Sequence, residues 1–386
     1  MLILELAIIL IAAKIAGHIS VRFGQPSVLG QLIAGILIGP AVLGWVDNSD
    51  IIHELSNIGV IILMFIAGLE TDLKQFKASV KASTYVGFMG VVFPLAGGYV
   101  LSSMLGMNTF EALFFGLVLS ATSVSISVQT LREMNRLQSK EGMAILGAAV
   151  LDDIIVIILL AFLMSFMGGD VSIEEVILMK AAFFAVALLV AWKVVPWALS
   201  KLAAFRIPHA PIVAALLICF AYAYYAEATG VAAIIGAYLA GIAIGQTTHG
   251  HKIMEQAEIV GYSLFVPVFF VSIGFSAQIS GLGEYVWLIV PLSVLAVLTK
   301  MIGGGLGAKF AGYEWMPSIR VGAGMVSRGE VALILASMGL KDGLLDGGLF
   351  TTLIIVVLVT TLVTPPLLKL LFTEKKKQPQ TMNQSM

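Results

Sequence analysis

Charged side chains are scarce in this sequence of 386 residues. Asp, Glu, Lys and Arg together make up 12% of it, whereas soluble domains carry about 25%. Hydrophobic residues make up 59%, and the mean hydropathy is +1.01. This balance excludes an ordinary soluble domain and predicts an all-α protein that crosses the lipid bilayer many times.

Cysteine and clustered basic residues are also nearly absent. Cys219 is the single cysteine, so a disulfide within the chain is excluded and a packing role is predicted. The net charge is −1, and no basic stripe with interleaved aromatic residues occurs, which argues against a nucleic-acid partner. A basic stretch before the first apolar segment is missing too, so residues 1–21 are predicted to be a retained span rather than a cleaved signal.

Long apolar runs, in contrast, are abundant. Thirteen are long enough to cross about 30 Å of hydrocarbon. They lie at residues 2–22, 26–44, 52–69, 82–105, 110–131, 141–167, 173–199, 209–228, 230–247, 257–278, 284–308, 317–340 and 347–372. Basic residues such as Lys74, Lys77 and Arg132 cluster in alternate connections. By the positive-inside rule, the N-terminus is predicted to lie outside and the C-terminus in the cytoplasm. The expected location is the inner (plasma) membrane of the cell.

Two spans at matching positions have an unusual composition. The predicted span 173–199 separates six spans from six, and an odd linker inverts the second set, as in many secondary transporters. The fifth span of each set is rich in small residues: SATSVSISV at 120–128 and GAGMVSRGEVAL at 322–333. Gly, Ser and Thr weaken continuous helices. Two interrupted helices near a substrate site are therefore predicted, with close packing of small residues as the alternative.

The predicted span 141–167 carries two adjacent carboxylates, Asp152 and Asp153, near its middle. One aspartate there costs about 2.5–3.5 kcal/mol on insertion scales, so a pair requires partners or a water-filled cavity. Successive side chains on a helix point about 100° apart. We therefore expect one carboxylate to face a fixed cation, with Lys300 as candidate, and the other to face a cavity. A purely structural ion pair is the alternative.

Burial in a medium of low dielectric constant favours the protonated form of a carboxyl group. Such a group holds a proton or a cation, but not both well. If its cavity opens to each side in turn, this competition predicts a secondary transporter that exchanges protons for a cation such as Na⁺. Asp153, Thr122, Ser123 and water are the expected oxygen ligands of this Na⁺. No enzymatic step and no cofactor is needed.

Arg328 and Glu330 lie two residues apart in the second unusual span. We expect them to support the helix break, by pairing with each other or with a charge such as Glu70, rather than to contact the ion directly.

Several segments together resemble the monovalent cation:proton antiporters of the second subfamily. They are LGQLIAGILIGPAVLG at 29–44, LMFIAGLETDL at 63–73, LSATSVSISV at 119–128, VLDDI at 150–154, FFVSIGF at 269–275 and SRGEVAL at 327–333. The adjacent aspartates with Lys300 are most similar to the electrogenic NapA-type sodium/proton antiporters of bacteria.

The resemblance implies two inverted six-helix repeats with crossed interrupted helices, in a homodimer. It implies a dimerisation domain (residues 1–69 and 209–278), a core ion-transport domain (82–167 and 284–372), a linking helix (173–199) and a disordered cytoplasmic tail (373–386). By position it makes Asp153 the cation-binding carboxylate and Asp152 the partner of Lys300. It places Thr122 and Ser123 at the first break and Glu330 at the second.

The resemblance leaves the preferred ion open among Na⁺, Li⁺ and K⁺. A K⁺/H⁺ exchanger of the same fold would use the same carboxylates, whereas the glutathione-gated potassium efflux branch carries Gln-Asp where this chain has Asp152 and Asp153. A passive channel has no need of a lysine paired with a carboxylate in the middle of the membrane. A membrane aspartyl protease needs two aspartates on different helices, which adjacent aspartates do not provide.

Overall fold

The computed structural model describes residues 2–47, 49–166, 173–203, 205, 208–275, 283–341 and 343–373. The side chains of residues 161, 164–166, 173, 283, 284, 330 and 341 are not described. The predicted disordered tail therefore lies outside the described residues, apart from Thr373, and so does the Glu330 side chain. Within the described ranges the chain is almost entirely helical and contains no β-strand.

Sixteen α-helices follow one another along the described chain. They are α1 (Leu2–Arg22), α2 (Ser27–Ile38), α3 (Asp50–Glu70), α4 (Leu73–Met104), α5 (Thr109–Ser120), α6 (Val124–Glu133), α7 (Lys140–Phe166), α8 (Ile173–Ala203), α9 (Ala210–Ala228), α10 (Ala233–Gly245), α11 (Gly250–Val260), α12 (Val266–Phe275), α13 (Ile289–Phe310), α14 (Trp315–Gly324), α15 (Glu330–Lys341) and α16 (Gly347–Phe372). A π-helical turn, Gly261–Phe265, joins α11 to α12, and a 3₁₀ turn, Gly283–Leu288, precedes α13.

Ten segments of the described chain are long and apolar enough to cross a membrane. Shorter apolar helices, namely α2, α10 and residues 331–340 of α15, lie in the other predicted spans. The prediction of a polytopic all-α protein is confirmed, but the count of thirteen full spans is not reproduced. One reason is that α2 ends at Ile38, before Gly39 and Pro40, because a proline disfavours helical backbone at the residue before it. The span predicted from hydropathy extends to residue 44 because the residues after Ile38 are also mostly apolar.

The helices pack in two groups. Helices α4, α5, α7, α13, α14, α15 and α16 contact one another, with the most extensive contacts between α4 and both α13 and α7. Helices α1, α2, α3, α9, α10, α11 and α12 form the other group, and α6 contacts helices of both groups. Glycines allow the closest approaches: a Cβ on Gly68 of α3 would lie 2.2 Å from the Tyr238 carbonyl oxygen of α10, and one on Gly303 of α13 would lie 2.5 Å from that of Met89 in α4. Backbones in direct contact are typical of helix packing in membranes.

Both predicted interruptions are present. Helix α5 ends at Ser120 and α6 begins at Val124, while α14 ends at Gly324 and α15 begins at Glu330. Each break falls inside the stretch of small residues that predicted it.

Candidate ion-binding site at two interrupted helices

The two helix breaks meet and bond to each other. The Ser123 backbone N–H donates to the Ser327 carbonyl oxygen at 2.7 Å, and the Ser327 hydroxyl donates to the Ser123 carbonyl oxygen at 2.7 Å. One turn further on, the Ser127 hydroxyl donates to the Gly324 carbonyl oxygen at 2.5 Å. Irregular backbone inside a membrane is tolerated only where protein or water satisfies its polar groups. Here each break satisfies the other.

Glycine and a third helix complete this crossing. A Cβ on Gly329 would lie 2.7 Å from the Ser123 Oγ and 2.8 Å from its Cβ, so the absence of a side chain at Gly329 permits the approach of the two breaks. The Thr361 hydroxyl of α16 donates to the Arg328 carbonyl oxygen at 2.5 Å. The backbone of the second break is thus held from two sides.

The adjacent carboxylates of α7 are both buried in the first helix group. Asp152 is 0% exposed and Asp153 is 1% exposed. The Lys300 Nζ of α13 lies 3.0 Å from the Asp152 Oδ1, and the Lys300 side chain is fully buried as well. Asp153 interacts electrostatically with the same lysine. Because α7 and α13 both pack on α4, that helix sets the distance between the carboxylates and the ammonium group.

Gly90 of α4 provides the space for the ammonium group. A Cβ at this position would lie 3.8 Å from the Lys300 Nζ and 3.7 Å from the Met325 Cε. The lysine therefore ends between α4, the second break and Asp152.

Thr122 lies at the first break, next to the carboxylates. Its side chain is 3% exposed and interacts with Asp152. Among the described residues, neither the Thr122 hydroxyl nor the Asp152 Oδ2 makes a hydrogen bond of normal geometry beyond this interaction. Buried polar atoms are normally satisfied by protein, water or an ion. The donor set here, two acidic side chains and a hydroxyl, is one that a small hard cation prefers.

Arg328 closes the end of α5. It is fully buried, and its Nε and Nη2 donate to the Leu119 carbonyl oxygen at 2.9 and 2.7 Å. Its Nη2 also donates to the Ala296 carbonyl oxygen of α13 at 3.0 Å. The last carbonyls of a helix lack partners within the helix and carry partial negative charge, and the Arg328 guanidinium group donates to one of them. The alternative that it pairs with Glu70 is wrong, because Glu70 forms an ion pair with Arg132.

Glu330 begins α15, directly after the second break. Since its side chain lies outside the description, the role expected for it stays a prediction.

A family model described as "Sodium/hydrogen exchanger, transmembrane" matches residues 6–374. The chain belongs to the sodium/hydrogen exchanger family. Members of this family are antiporters, so the protein is a secondary transporter and not an enzyme.

Curated relatives and a solved structure agree with this assignment. The chain is 52% identical over 350 residues to the Na⁺/H⁺-K⁺ antiporter GerN of Bacillus cereus, which covers 90% of each protein. It is 42% identical over 353 residues to the Na⁺/H⁺ antiporter of Enterococcus hirae, covering 90% of this chain and 92% of the relative. The structure of the sodium proton antiporter MjNhaP1 from Methanocaldococcus jannaschii superimposes with a TM-score of 0.72 over 95% of each chain, at 16% identity. At that identity the match establishes the shared fold.

Sequence reasoning did not single out Ser127 and Ser327, which bond the two breaks together. The features of the sequence that could have indicated them are the many serines and the threonine at 120–128 and the serine that begins SRGEVAL at 327–333. Sequence reasoning also placed Arg132 in a connection after the fifth span, whereas it lies within α6 and joins a cluster of polar side chains.

Proposed function

We propose that this protein exchanges Na⁺ for protons across the plasma membrane by alternating access, with Asp153 as the group for which the two ions compete. The observation that carries the proposal is the buried pair of carboxylates at the crossing. One of them is bound by Lys300 at 3.0 Å and the other lies beside it, 1% exposed. Asp153 is assigned as the carboxylate that changes occupant because the resemblance to NapA-type antiporters makes it the cation-binding carboxylate by position, with Asp152 as the partner of Lys300.

The ligands of the sodium ion would be oxygen atoms around the first break. Asp153 supplies the charge, Thr122 and Ser123 supply hydroxyl or carbonyl oxygens, and water completes the shell. The buried Thr122 hydroxyl supports this assignment, because it lies at the first break and interacts with the adjacent Asp152 carboxylate. Glu330 would support the second break from the start of α15.

The charges of the site determine how much net charge crosses the membrane in each transport cycle. Asp152, Asp153, Lys300 and Arg328 are all at most 1% exposed, and two carboxylates balance two cations when all are ionised. Replacing the proton on Asp153 by Na⁺ keeps the net charge of the site constant. If Lys300 releases a second proton when Na⁺ binds, each cycle carries net charge across the membrane. We propose this electrogenic exchange of two protons for one sodium.

The two helix groups would be the moving and the stationary parts. Both breaks, the aspartates and Lys300 lie in the predicted core domain (82–167 and 284–372), which would move with the ion. The predicted dimerisation domain (1–69 and 209–278) would hold the homodimer in the bilayer, with residues 173–199 as the link. The distribution of basic residues supports an external N-terminus and a cytoplasmic C-terminus.

A K⁺/H⁺ exchanger is the second candidate. The GerN relative is a Na⁺/H⁺-K⁺ antiporter by name, and ion preference depends on cavity size and ligand geometry.

Purified protein in proteoliposomes tests the proposal. Internal pH is followed with a trapped dye while Na⁺, Li⁺ or K⁺ is added outside, and Na⁺ is expected to drive the largest proton flux. Asp153→Asn should abolish the flux with every cation while the protein stays folded. Asp72→Asn is the matched control, since Asp72 caps α4 by accepting from Lys74 and Gln75 N–H groups and asparagine caps equally well. Normal exchange by Asp153→Asn would remove the site assignment, and K⁺ as the best cation would favour the second candidate.

A further inference from the structure

A second cluster of charged residues lies outside the proposed ion site, at the end of α6. It borders a polar cavity of about 410 Å³. The residues that line this cavity are Glu70, Gln129, Arg132, Glu133, Asn135, Glu258 and Tyr262. They come from α3, α6, α11 and the π-helical turn, and from the connection after α6.

Arg132 is the centre of this cluster and contacts three separate elements. Its Nε lies 2.8 Å from the Glu70 Oε2 of α3, and its Nη2 pairs with Glu258 of α11. Its Nη1 donates to the Tyr262 hydroxyl at 2.5 Å. The guanidinium group also lies 5.0 Å from the centre of the Tyr262 ring. A planar group with several donors in fixed directions is suited to such a multiple contact.

Two other side chains of α6 extend the contact. The Tyr262 hydroxyl donates to the Gln129 Oε1 at 2.7 Å. The Glu133 carboxylate accepts from both the backbone N–H and the hydroxyl of Ser27, at the start of α2, at 2.6 Å each. One half-helix is therefore bonded to α2, α3, α11 and the π-helical turn.

Helix α6 connects this cluster directly to the first helix break. Arg132 is nine residues beyond Ser123 in the sequence, which is about 13.5 Å along a helix at about 1.5 Å per residue. Residues 124–133 are helical throughout, so a displacement at one end is transmitted to the other. Helix α6 packs on α7 and α16 of one helix group, whereas Glu70 and Ser27 belong to the other.

Solvent exposure distinguishes this contact from the ion pair of the site. The side chains of Arg132, Glu70 and Glu258 are 17%, 28% and 37% exposed, whereas Lys300 and Asp152 are fully buried. Breaking a buried pair is strongly unfavourable, whereas exposed pairs contribute little individually. The Arg132 contacts can therefore open and re-form during a transport cycle.

We propose that Arg132 is a positioning residue that holds the passage to the ion site closed at this end of α6. Its contacts to Glu70, Glu258 and Tyr262 stabilise the conformation in which the ion site is open only to the membrane face opposite the Arg132 cluster. The inference rests on the proposed antiport, because only a chain whose two helix groups move against each other has to break these contacts.

Arg320 of α14 offers a matched control. It lies 3.2 Å from the Glu141 Oε1, with the two side chains 20% and 14% exposed. It stacks on the Phe372 ring at 5.1 Å and donates to the Leu371 carbonyl oxygen at 3.0 Å. The chemistry matches that of Arg132, but Arg320 and its partners lie in α7, α14 and α16, within a single helix group.

The test measures the apparent KM for Na⁺ separately at the two faces of the membrane, in vesicles of defined orientation. The apparent affinity for a ligand falls in proportion to the fraction of protein that is competent to bind it. Arg132→Gln should therefore lower the KM by roughly threefold to tenfold at the face on which the cluster lies, and raise it by a smaller factor at the other face. Arg132→Lys should give a smaller change in the same directions.

Arg320→Gln should leave both KM values unchanged. Tyr262→Phe provides a second variant in case Arg132→Gln fails to fold, because it keeps the ring and removes only the hydroxyl contacts. We expect it to shift the two KM values in the same opposite directions.

Three results would overturn the inference. A change of the same sign at both faces would indicate a structural role. A change in KM at the membrane face on which the cluster lies, without an opposite change at the other face, would indicate that Glu70 and Glu258 attract cations locally. Equal effects of Arg132→Gln and Arg320→Gln would indicate general destabilisation. If the unsubstituted protein exchanges no cation for protons at all, the proposed function itself fails instead.

Discussion

Lys300 and Asp152 form an ion pair that is completely shielded from solvent, with the Nζ 3.0 Å from the Oδ1. Removing a charge from water costs several kcal/mol per ion, and this cost is offset only when the partner and its geometry are in place. Each residue of the pair is therefore tolerable at its position because the other is present. This dependence makes the pair both a structural element and a sensitive point of the transport site.

Removing only the lysine should destabilise the protein. Lys300→Met is expected to lower the free energy of unfolding by about 3–5 kcal/mol, because it leaves Asp152 buried without its cation. Adding Asp152→Asn in the same chain removes that buried charge and should restore most of the loss. Denaturant unfolding of the purified protein, followed by circular dichroism, compares the variants. Equal stability of the single and double variants would contradict the dependence.

Voltage should affect the rate of exchange. If each cycle moves one elementary charge, the membrane potential contributes about 2.3 kcal/mol per 100 mV. We expect the initial rate of Na⁺-driven proton flux to change with an imposed potassium diffusion potential. Lys300→Gln lacks the proposed donor of the second proton, so the exchange that remains should be insensitive to the potential. Arg320→Gln should retain the dependence. An unsubstituted protein that ignores the potential would exclude net charge movement.

The serine contacts between the two breaks should determine the affinity for the cation. Ser327→Ala removes the donor to the Ser123 carbonyl oxygen, and a buried acceptor left without its donor costs about 1–3 kcal/mol. We expect the KM for Na⁺ to rise about tenfold, because the backbone at the ligands loses its support. Ser200→Ala removes a comparable hydroxyl contact within α8, at an exposed position. It should leave the KM unchanged, and an equal rise there would contradict the prediction.

The space beside Gly90 should limit the size of the side chain at this position. Gly90→Ala should preserve exchange, because its Cβ would make ordinary contacts of 3.7 and 3.8 Å with Met325 and Lys300. Gly90→Leu extends into both and should displace the ammonium group, with a destabilisation of about 1–3 kcal/mol. Exchange rates and thermal unfolding are measured together. Gly347→Leu is the control, since nothing lies within 4 Å of an added Cβ there. Full activity of Gly90→Leu would place the ammonium group elsewhere.

The sequence contained the signals for the site because membrane burial makes polar residues conspicuous. Asp152, Asp153 and Lys300 stand out in apolar segments, and the two stretches of small residues predicted both breaks. The acceptors of Arg328 could not be predicted, since they are the backbone carbonyls of Leu119, Ala296 and Val326, and every residue has a carbonyl. Sequence reasoning considered charged partners only, and so it included Glu70 among them.

Arg132 was misplaced for a related reason. Charges near the end of an apolar segment indicate a connecting loop, because hydrocarbon does not tolerate them. In the structure, α6 continues to Glu133 and carries Arg132 into a polar cavity between helices. Hydropathy describes the contact with lipid, and it does not reveal a polar pocket between helices.

The glycine contacts have a mechanical consequence. A Cβ at Gly68 or Gly303 would lie 2.2 or 2.5 Å from a neighbouring backbone oxygen. The two helices at each contact are therefore packed backbone to backbone, which resists sliding of one helix along the other. Around Arg132, contacts between long and partly exposed side chains join the helix groups instead, and such contacts can break and re-form when the groups move. The two helix groups are therefore expected to move against each other at the Arg132 contacts, and not at the glycine contacts within each group.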